Sequence, residues 1–146
     1  MIDSVTQLIT RDLDRLKKEM NAYPDEALFW RTDKEIKNSA GNLCLHLIGN
    51  LNHYIGHILG NTNYVRNRER EFSAKNIAFT ELSEQIDDTI KLVEEVLSTL
   101  SQEDIHSIYP VEVLGYKMTT EYFLIHLSGH LNYHLGQISY HRRLIA

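Results

Sequence analysis

Hydrophobic residues recur every three or four positions in four separate stretches of the chain. This spacing places them on one face of a helix and is typical of amphipathic helices. Pro24 ends the first stretch, because proline lacks the amide donor that a continuing helix needs. Ser39 is a suitable cap for the second and Thr80 for the third. The predicted helices span residues 2–22, 39–60, 80–101 and 124–143.

The segments between these helices are long and carry no periodic pattern. Residues 62–79 are polar, and the segment before the fourth helix contains Pro110 and Gly115. No stretch of comparable length shows the alternation of a strand. The pattern therefore predicts an all-α fold, a four-helix bundle with long connections between helices in antiparallel or mixed directions. At 146 residues and 42% hydrophobic content, we expect residues 1–146 to form a single domain.

Charge and cysteine content narrow the possible partners. The chain has 15 Lys and Arg residues against 20 Asp and Glu, a net charge of -5, which argues against a nucleic-acid partner. No apolar run reaches 18 residues, so we expect no membrane span. Cys44 is the only cysteine and cannot form an internal disulfide. Together with an N-terminus that does not resemble a signal peptide, this predicts a cytoplasmic protein.

Histidines are concentrated in two short windows of the sequence. Seven of the eight lie in the second and fourth predicted helices, and only His106 lies elsewhere. Scattered surface histidines would not segregate in this way. The two groups are His46, His53 and His57, and His126, His130, His134 and His141.

The two histidine-rich helices also resemble each other. Residues 46–58 align with residues 126–138 without a gap and share His, Leu, Gly, Leu, Asn, Gly and Ile at matching positions. Each glycine costs about 1 kcal/mol of helix propensity relative to alanine. We therefore expect close helix approach at the shared glycines, which are Gly49, Gly56, Gly129 and Gly136.

His130 and His134 lie four residues apart, on one face of the fourth helix. Two imidazoles at this spacing can bind the same cation. The zinc-protease motif requires Glu directly after the first histidine, and Leu131 stands there instead. If the two helices face each other, one histidine of the second helix supplies a third nitrogen. Three protein ligands with an open position are typical of a catalytic metal site.

Other interpretations of the histidines remain open. They can be ordinary hydrogen-bonding residues at a bundle interface, particularly His53, His57 and His141. Haem binding by two facing histidines is also possible, although no CxxCH motif is present. A di-iron carboxylate site is excluded, because the second helix has no acidic residue and the fourth has only Glu121. Cys44 is expected to be a small buried hydrophobic residue.

Arginines alternate with acidic residues between Tyr64 and Phe72. Solvated ion pairs are one interpretation of this pattern. The alternative is an arginine lip over the site that receives an anionic substrate. In that case Arg66 and Arg68 are the candidate substrate- or cofactor-binding residues.

Three segments of the sequence resemble a known family. They are residues 38–54, with the block HLIGN, residues 64–72, and residues 129–142, with the block HLNYHLGQI. Together they resemble the DinB-like superfamily and, more narrowly, its DUF1572-type branch. The likeness extends over nearly the whole chain. It implies a four-helix bundle, often a homodimer, that holds a divalent metal ion with three histidines.

Matched residue by residue, the resemblance assigns the metal ligands to His46, His130 and His134. It leaves His53 and His126 as residues that replace or support His46. The implied metal is Zn or Ni, and related transferases use a low-molecular-weight thiol as co-substrate. The resemblance therefore implies a metal-dependent enzyme, a thiol-dependent transferase that acts on a small-molecule substrate. Two alternatives are a non-catalytic dimeric bundle that binds a metal or small ligand, and a purely structural bundle.

Overall fold

The computed structural model describes residues 1–146 and confirms the all-α prediction. Four long helices correspond to the four hydrophobic stripes, and three short helices lie in the connections. No helix is long and apolar enough to cross a membrane. The helices are α1 (Ile2–Asn21), α2 (Glu26–Phe29), α3 (Ala40–Leu51, extended by a π-helical segment Asn52–Leu59), α4 (Arg68–Ser73), α5 (Phe79–Ser98), α6 (Gln102–His106) and α7 (Thr120–Ile145).

The long helices form a ring around one apolar core. α1 packs on α5 and α7, and α3 packs on the same two helices. Each helix buries most of its predicted stripe, so the hydrophobic effect holds the ring together. Side chains that are fully or almost fully buried come from every long helix and include Ile9, Leu13, Leu16, Leu47, Leu51, Leu82, Ile86, Leu127 and Leu131.

The direction of the helices determines where the connections run. Asn52 donates a hydrogen bond to Thr89, and Gly56 lies against Leu92, so α3 and α5 run parallel. Tyr54 packs on Phe123, whereas His46, earlier in α3, lies beside the later His134, so α3 and α7 run antiparallel. Parallel neighbours need a connection that returns along the bundle. The segment between α3 and α5 therefore runs back beside α3 and carries α4 with it.

Helix ends differ from the sequence prediction at the third long helix. Thr80 is not the cap of α5: the helix begins at Phe79, and Ala78 stands at the cap position without a side-chain bond. Glu26 of α2 accepts a hydrogen bond from the Phe79 amide instead. A partner distant in sequence thus replaces the local cap. Ser39 caps α3, as predicted.

Only two of the four shared glycines lie at close contacts. A Cβ at Gly49 would collide with Glu71, and one at Gly56 would lie 2.8 Å from Leu92. At Gly129 and Gly136 a Cβ would meet nothing within 4 Å. The prediction of close approach was therefore wrong for the α7 glycines, which face open space.

Candidate metal centre

Three histidines from α3 and α7 meet at one point between these helices. His46, His130 and His134 each offer a ring nitrogen, and these three nitrogens lie within 4.8 Å of one another. The Nε2 atoms of His46 and His130 are 3.2 Å apart. Two nitrogens bound to one tetrahedral Zn²⁺ at about 2.1 Å are separated by roughly 3.4 Å. The spacing therefore suits a shared metal ion.

Glu71 of α4 fixes the ring of His46. Its Oε1 lies 3.1 Å from His46 Nδ1, so the carboxylate accepts the Nδ1–H and leaves Nε2 free to bind a metal. A carboxylate behind a ligating histidine fixes the tautomer and the ring orientation. Both side chains are buried, His46 at 8% exposure and Glu71 at 6%.

Arg66 holds Glu71 from the other side. Its Nε donates to Oε2 and its Nη2 to Oε1, each at 2.9 Å, which is a bidentate ion pair. Burial alone would raise the pKa of Glu71. Hydrogen bonds from His46 and Arg66 outweigh that effect and hold the pKa of Glu71 below its usual value. Glu71 is therefore an anion at neutral pH.

The backbone of α4 is fastened to the start of α3. Ser39 donates to the side-chain oxygen of Asn42, and Asn42 Nδ2 donates to the carbonyl oxygens of Glu71 and Ala74 at 2.9 and 2.8 Å. The next residue, Phe72, packs on the His46 ring with a centroid distance of 5.0 Å. The helix cap of α3 thus also positions the carboxylate behind His46.

His134 has a different supporting residue. Its Nδ1–H donates to Gln137 Oε1 at 2.7 Å, which directs Nε2 away from Gln137. Gln137 Nε2 in turn donates to the hydroxyl of Tyr133 at 3.2 Å. Burial lowers the pKa of His134, so its ring is neutral, as metal ligation requires.

His130 is the ligand candidate without a supporting partner. Its Nδ1 is buried and makes no hydrogen bond. Asn50, one turn after His46 in α3, likewise has a buried Oδ1 without a hydrogen-bond partner. Burial and the neighbouring His134 and His46 lower the pKa of His130 to about 4. The ring is therefore neutral, with one nitrogen near His46 and the other unpaired.

The donor set fits a transition-metal ion. Three imidazole nitrogens match the preference of Zn²⁺ and Ni²⁺, whereas hard cations such as Mg²⁺ prefer oxygen ligands. In His46 and His134 the Nδ1 atom is hydrogen-bonded to a supporting residue, which leaves Nε2 to face the point where the three rings meet. The residues present thus fit the metal that the sequence resemblance implies.

The remaining histidines lie outside this cluster. His141 is buried and bonded to Tyr23 Oη and to the carbonyl oxygen of Arg31. His57 is exposed and bonded to the carbonyl oxygen of Thr62. His53 stacks on His57 at 5.8 Å, and His126 stacks on His130 at 6.3 Å. Of the second-helix histidines, the structure therefore brings His46, and not His53, to the α7 pair.

The two candidate arginines differ in their surroundings. The Arg66 guanidinium is engaged by Glu71 and lies 3.3 Å from His46 Nδ1. Arg68 is exposed, and its guanidinium lies 5.4 Å from the centre of the Phe72 ring. Substrate or cofactor binding by either arginine stays a prediction. Cys44 is fully buried, and burial raises the pKa of its thiol to about 12, so it is not a nucleophile.

Sequence reasoning missed Glu71 as a supporting residue. Glu71 lies in the segment that the sequence interprets either as solvated ion pairs or as arginines over the site, and no local pattern distinguishes it from Glu69, which is exposed. The one sequence feature that pointed to a residue packed close to His46 was Gly49, a helix glycine three residues after it. Gln137 entered the sequence analysis only as part of the block HLNYHLGQI.

A cavity of about 510 Å³ adjoins the histidine cluster at His134. It lies between the loop that precedes α3 and the second half of α7. A volume of this size is typical of sites for small molecules. Its walls include Ile36, Leu43, Tyr133, Gln137, Tyr140 and Leu144.

The fold and this cluster define an all-α bundle with a candidate three-histidine metal centre. A sequence profile described as DinB superfamily matches residues 8–138. This match covers most of the chain, so the protein belongs to the DinB superfamily, in agreement with the sequence resemblance. The narrower DUF1572-type assignment stays a prediction. No curated protein matches the sequence.

Proposed function

We propose that the protein is a divalent-metal-dependent enzyme whose metal, Zn or Ni, is held by His46, His130 and His134. The observation that carries this proposal is the convergence of three ring nitrogens within 4.8 Å, two of them on rings oriented by Glu71 and Gln137. Three protein ligands leave at least one position for water or substrate, as in catalytic zinc sites.

The proposed reaction is a thiol-dependent transfer. The thiol sulfur forms a bond to an electrophilic centre, the bond to the leaving group breaks, and the thiol proton goes to the leaving group. A divalent metal bound at the three nitrogens would supply the Lewis acidity that favours a thiolate at neutral pH. Glu71 and Gln137 hold the Nδ1 protons of His46 and His134 in place, and Arg66 balances the charge of Glu71.

The cavity beside His134 supports a small-molecule substrate. At about 510 Å³ it accommodates both a low-molecular-weight thiol and a small electrophile. Arg68, which is exposed and without an ion-pair partner, is a candidate contact for an anionic group of the substrate. We further propose a cytoplasmic location, because the only cysteine is buried and reduced.

An exposed stripe on α7 supports a homodimer as part of the proposal. Apolar side chains with exposures of 50% to 73% follow one another at helical spacing along its outer face. Contiguous apolar surface of this kind is typical of protein interfaces, and a helix face can pair with its own copy around a twofold axis. The stripe contains Tyr122, Ile125, Tyr133, Tyr140 and Leu144, of which the last three also line the cavity, so a partner subunit on this stripe would border the substrate site. Analytical ultracentrifugation of the wild type should show the mass of a dimer. The Ile125→Lys variant should sediment as a monomer.

Elemental analysis of protein purified without a histidine tag is the first test of the function. We expect about one Zn or Ni per chain, and turnover when a thiol and an electrophile are supplied together. The second candidate function is a non-catalytic dimeric bundle that binds a metal or small ligand, and the accessible cavity is equally compatible with that role. Stoichiometric metal without thiol-dependent turnover would favour this alternative. Absence of stoichiometric metal would contradict the enzyme proposal and the metal-binding form of the alternative, and would leave a bundle that binds only a small ligand.

A further inference from the structure

Two exposed side chains of opposite charge line the cavity beside His134. Glu35 and Lys37, from the loop before α3, both line it. Neither side chain makes a hydrogen bond or an ion pair, although only one residue separates them in sequence. The loop thus presents a carboxylate and an ammonium group to the same cavity.

The α7 wall of the cavity includes one of the three candidate metal ligands. His134 and its supporting residue Gln137 both line the space. A ligand in the cavity therefore has the metal centre on one side and the charged loop on the other. Apolar side chains also line the cavity, including Leu43, which is 6% exposed, and Ile36.

The arrangement matches a ligand of mixed charge. A carboxylate recognises an ammonium group, and an ammonium group recognises a carboxylate, so a cavity with one of each is complementary to a zwitterion. A ligand with a single charge would meet one unfavourable group as well as one favourable one. The apolar wall suits a short carbon skeleton between the charged end and the metal-binding end.

We propose that this cavity binds an α-amino acid whose side chain ends in a soft metal-binding atom, of which a cysteine-type thiol is the simplest example. The ligand's ammonium group lies at Glu35, its carboxylate at Lys37 and its sulfur on the side of His134. This inference rests on the proposed function, because it requires a metal at the three histidines.

Four small thiols test the inference on protein loaded with Co²⁺. L-cysteine carries both charges, cysteamine only the ammonium, 3-mercaptopropionate only the carboxylate, and 2-mercaptoethanol neither. Binding is measured by titration of the thiolate-to-Co²⁺ charge-transfer band. Each thiol is compared with itself across variants, so any intrinsic preference of Co²⁺ for chelating ligands cancels.

Lys37→Met should lower the affinity for L-cysteine and 3-mercaptopropionate by about fivefold, because these two thiols carry a carboxylate. The affinity for cysteamine, which has no carboxylate, should stay unchanged or rise. Glu35→Gln should lower the affinity for L-cysteine and cysteamine, which carry an ammonium group, by a similar factor. The affinity for 3-mercaptopropionate should not change. Lys34→Met is the matched control, since Lys34 belongs to the same loop but does not line the cavity. It should change none of the four affinities.

The outcomes distinguish this inference from the proposed function. If the band appears but neither variant weakens the binding of L-cysteine, the zwitterion inference is wrong and the metal-thiol function stands. If no thiol produces the band in Co²⁺-loaded protein, the proposed thiol chemistry is wrong, and the inference is overturned with it.

Discussion

The Glu71 carboxylate lies directly over Gly49, in the space that a side chain at residue 49 would fill. Gly49 is one turn after His46, so its missing side chain is what allows Glu71 to reach His46 Nδ1. Helix propensity alone favours alanine at this position by about 1 kcal/mol. The glycine therefore weakens α3 locally and makes room for the residue that orients a metal ligand.

The first prediction is that Gly49→Ala lowers metal affinity while leaving the protein folded. The new methyl group displaces Glu71, and the ring of His46 loses the acceptor that fixes its tautomer. Loss of such a supporting group typically costs about 10- to 100-fold in metal affinity. Competition of Zn²⁺ between the protein and a chromophoric chelator measures the change.

Gly129→Ala is the matched control for this prediction. Gly129 occupies the equivalent position of the repeat in α7, where a Cβ meets nothing within 4 Å. The substitution should raise the free energy of unfolding by up to about 1 kcal/mol and leave metal affinity unchanged. Equal metal affinity in both variants and the wild type would show that Glu71 does not support the metal.

The sequence predicted those parts of the structure that depend on local spacing. The four hydrophobic stripes identified the four long helices, and the spacing of His130 and His134 placed them on one helix face. The pairing of the two histidine-rich helices followed from their shared pattern. Ser39 was recognisable as a helix cap, because its hydrogen bond is made within three residues.

Features that depend on helix direction could not be predicted in this way. The parallel arrangement of α3 and α5 brings α4 back beside α3 and places Glu71 25 residues along the chain from its partner His46. A separation of 53 residues likewise explains why Glu26 was missed as the partner of the Phe79 amide. Neither contact leaves a periodic signal in the sequence.

The second prediction concerns the third metal ligand. His46→Ala should abolish tight metal binding, whereas His53→Ala should retain it, because only His46 lies with the α7 pair. His57→Ala serves as a control, since His57 is exposed and bonded to a backbone carbonyl. Metal content by mass spectrometry, with circular dichroism to verify folding, measures the outcome. Loss of metal only in His53→Ala would refute the assignment of His46.

The third prediction assigns His141 to the fold and not to the metal. Its ring joins Tyr23 Oη at 2.7 Å and the Arg31 carbonyl at 2.8 Å, and it is 4% exposed. His141→Ala should lower the free energy of unfolding by about 2 kcal/mol, because buried hydrogen-bonding groups lose their partner. Urea denaturation measures this loss, and metal stoichiometry should remain that of the wild type. A drop in stoichiometry in a folded variant would make His141 part of the metal centre.

The fourth prediction is that the metal-free protein loses stability in mild acid. The folded protein holds the pKa of His130 near 4, below the ordinary value of 6.5, and the pKa values of His134 and His141 are also lowered by burial. Between pH 6.5 and 4 the unfolded chain therefore binds protons that the folded chain does not. By linkage, the free energy of unfolding falls as the pH falls through this range.

For His130 alone the expected loss is on the order of 2 kcal/mol, reduced from the full shift because the ring is partly exposed. Thermal unfolding in the presence of a chelator, at steps from pH 7 to pH 4.5, measures the slope. His130→Gln cannot take up this proton, so its slope should be shallower than that of the wild type. Bound Zn²⁺ should raise the melting temperature above the metal-free value at pH 7, and this gain should shrink on acidification as protons compete for the ring nitrogens. Identical slopes for wild type and His130→Gln would mean that His130 is not held neutral by the fold.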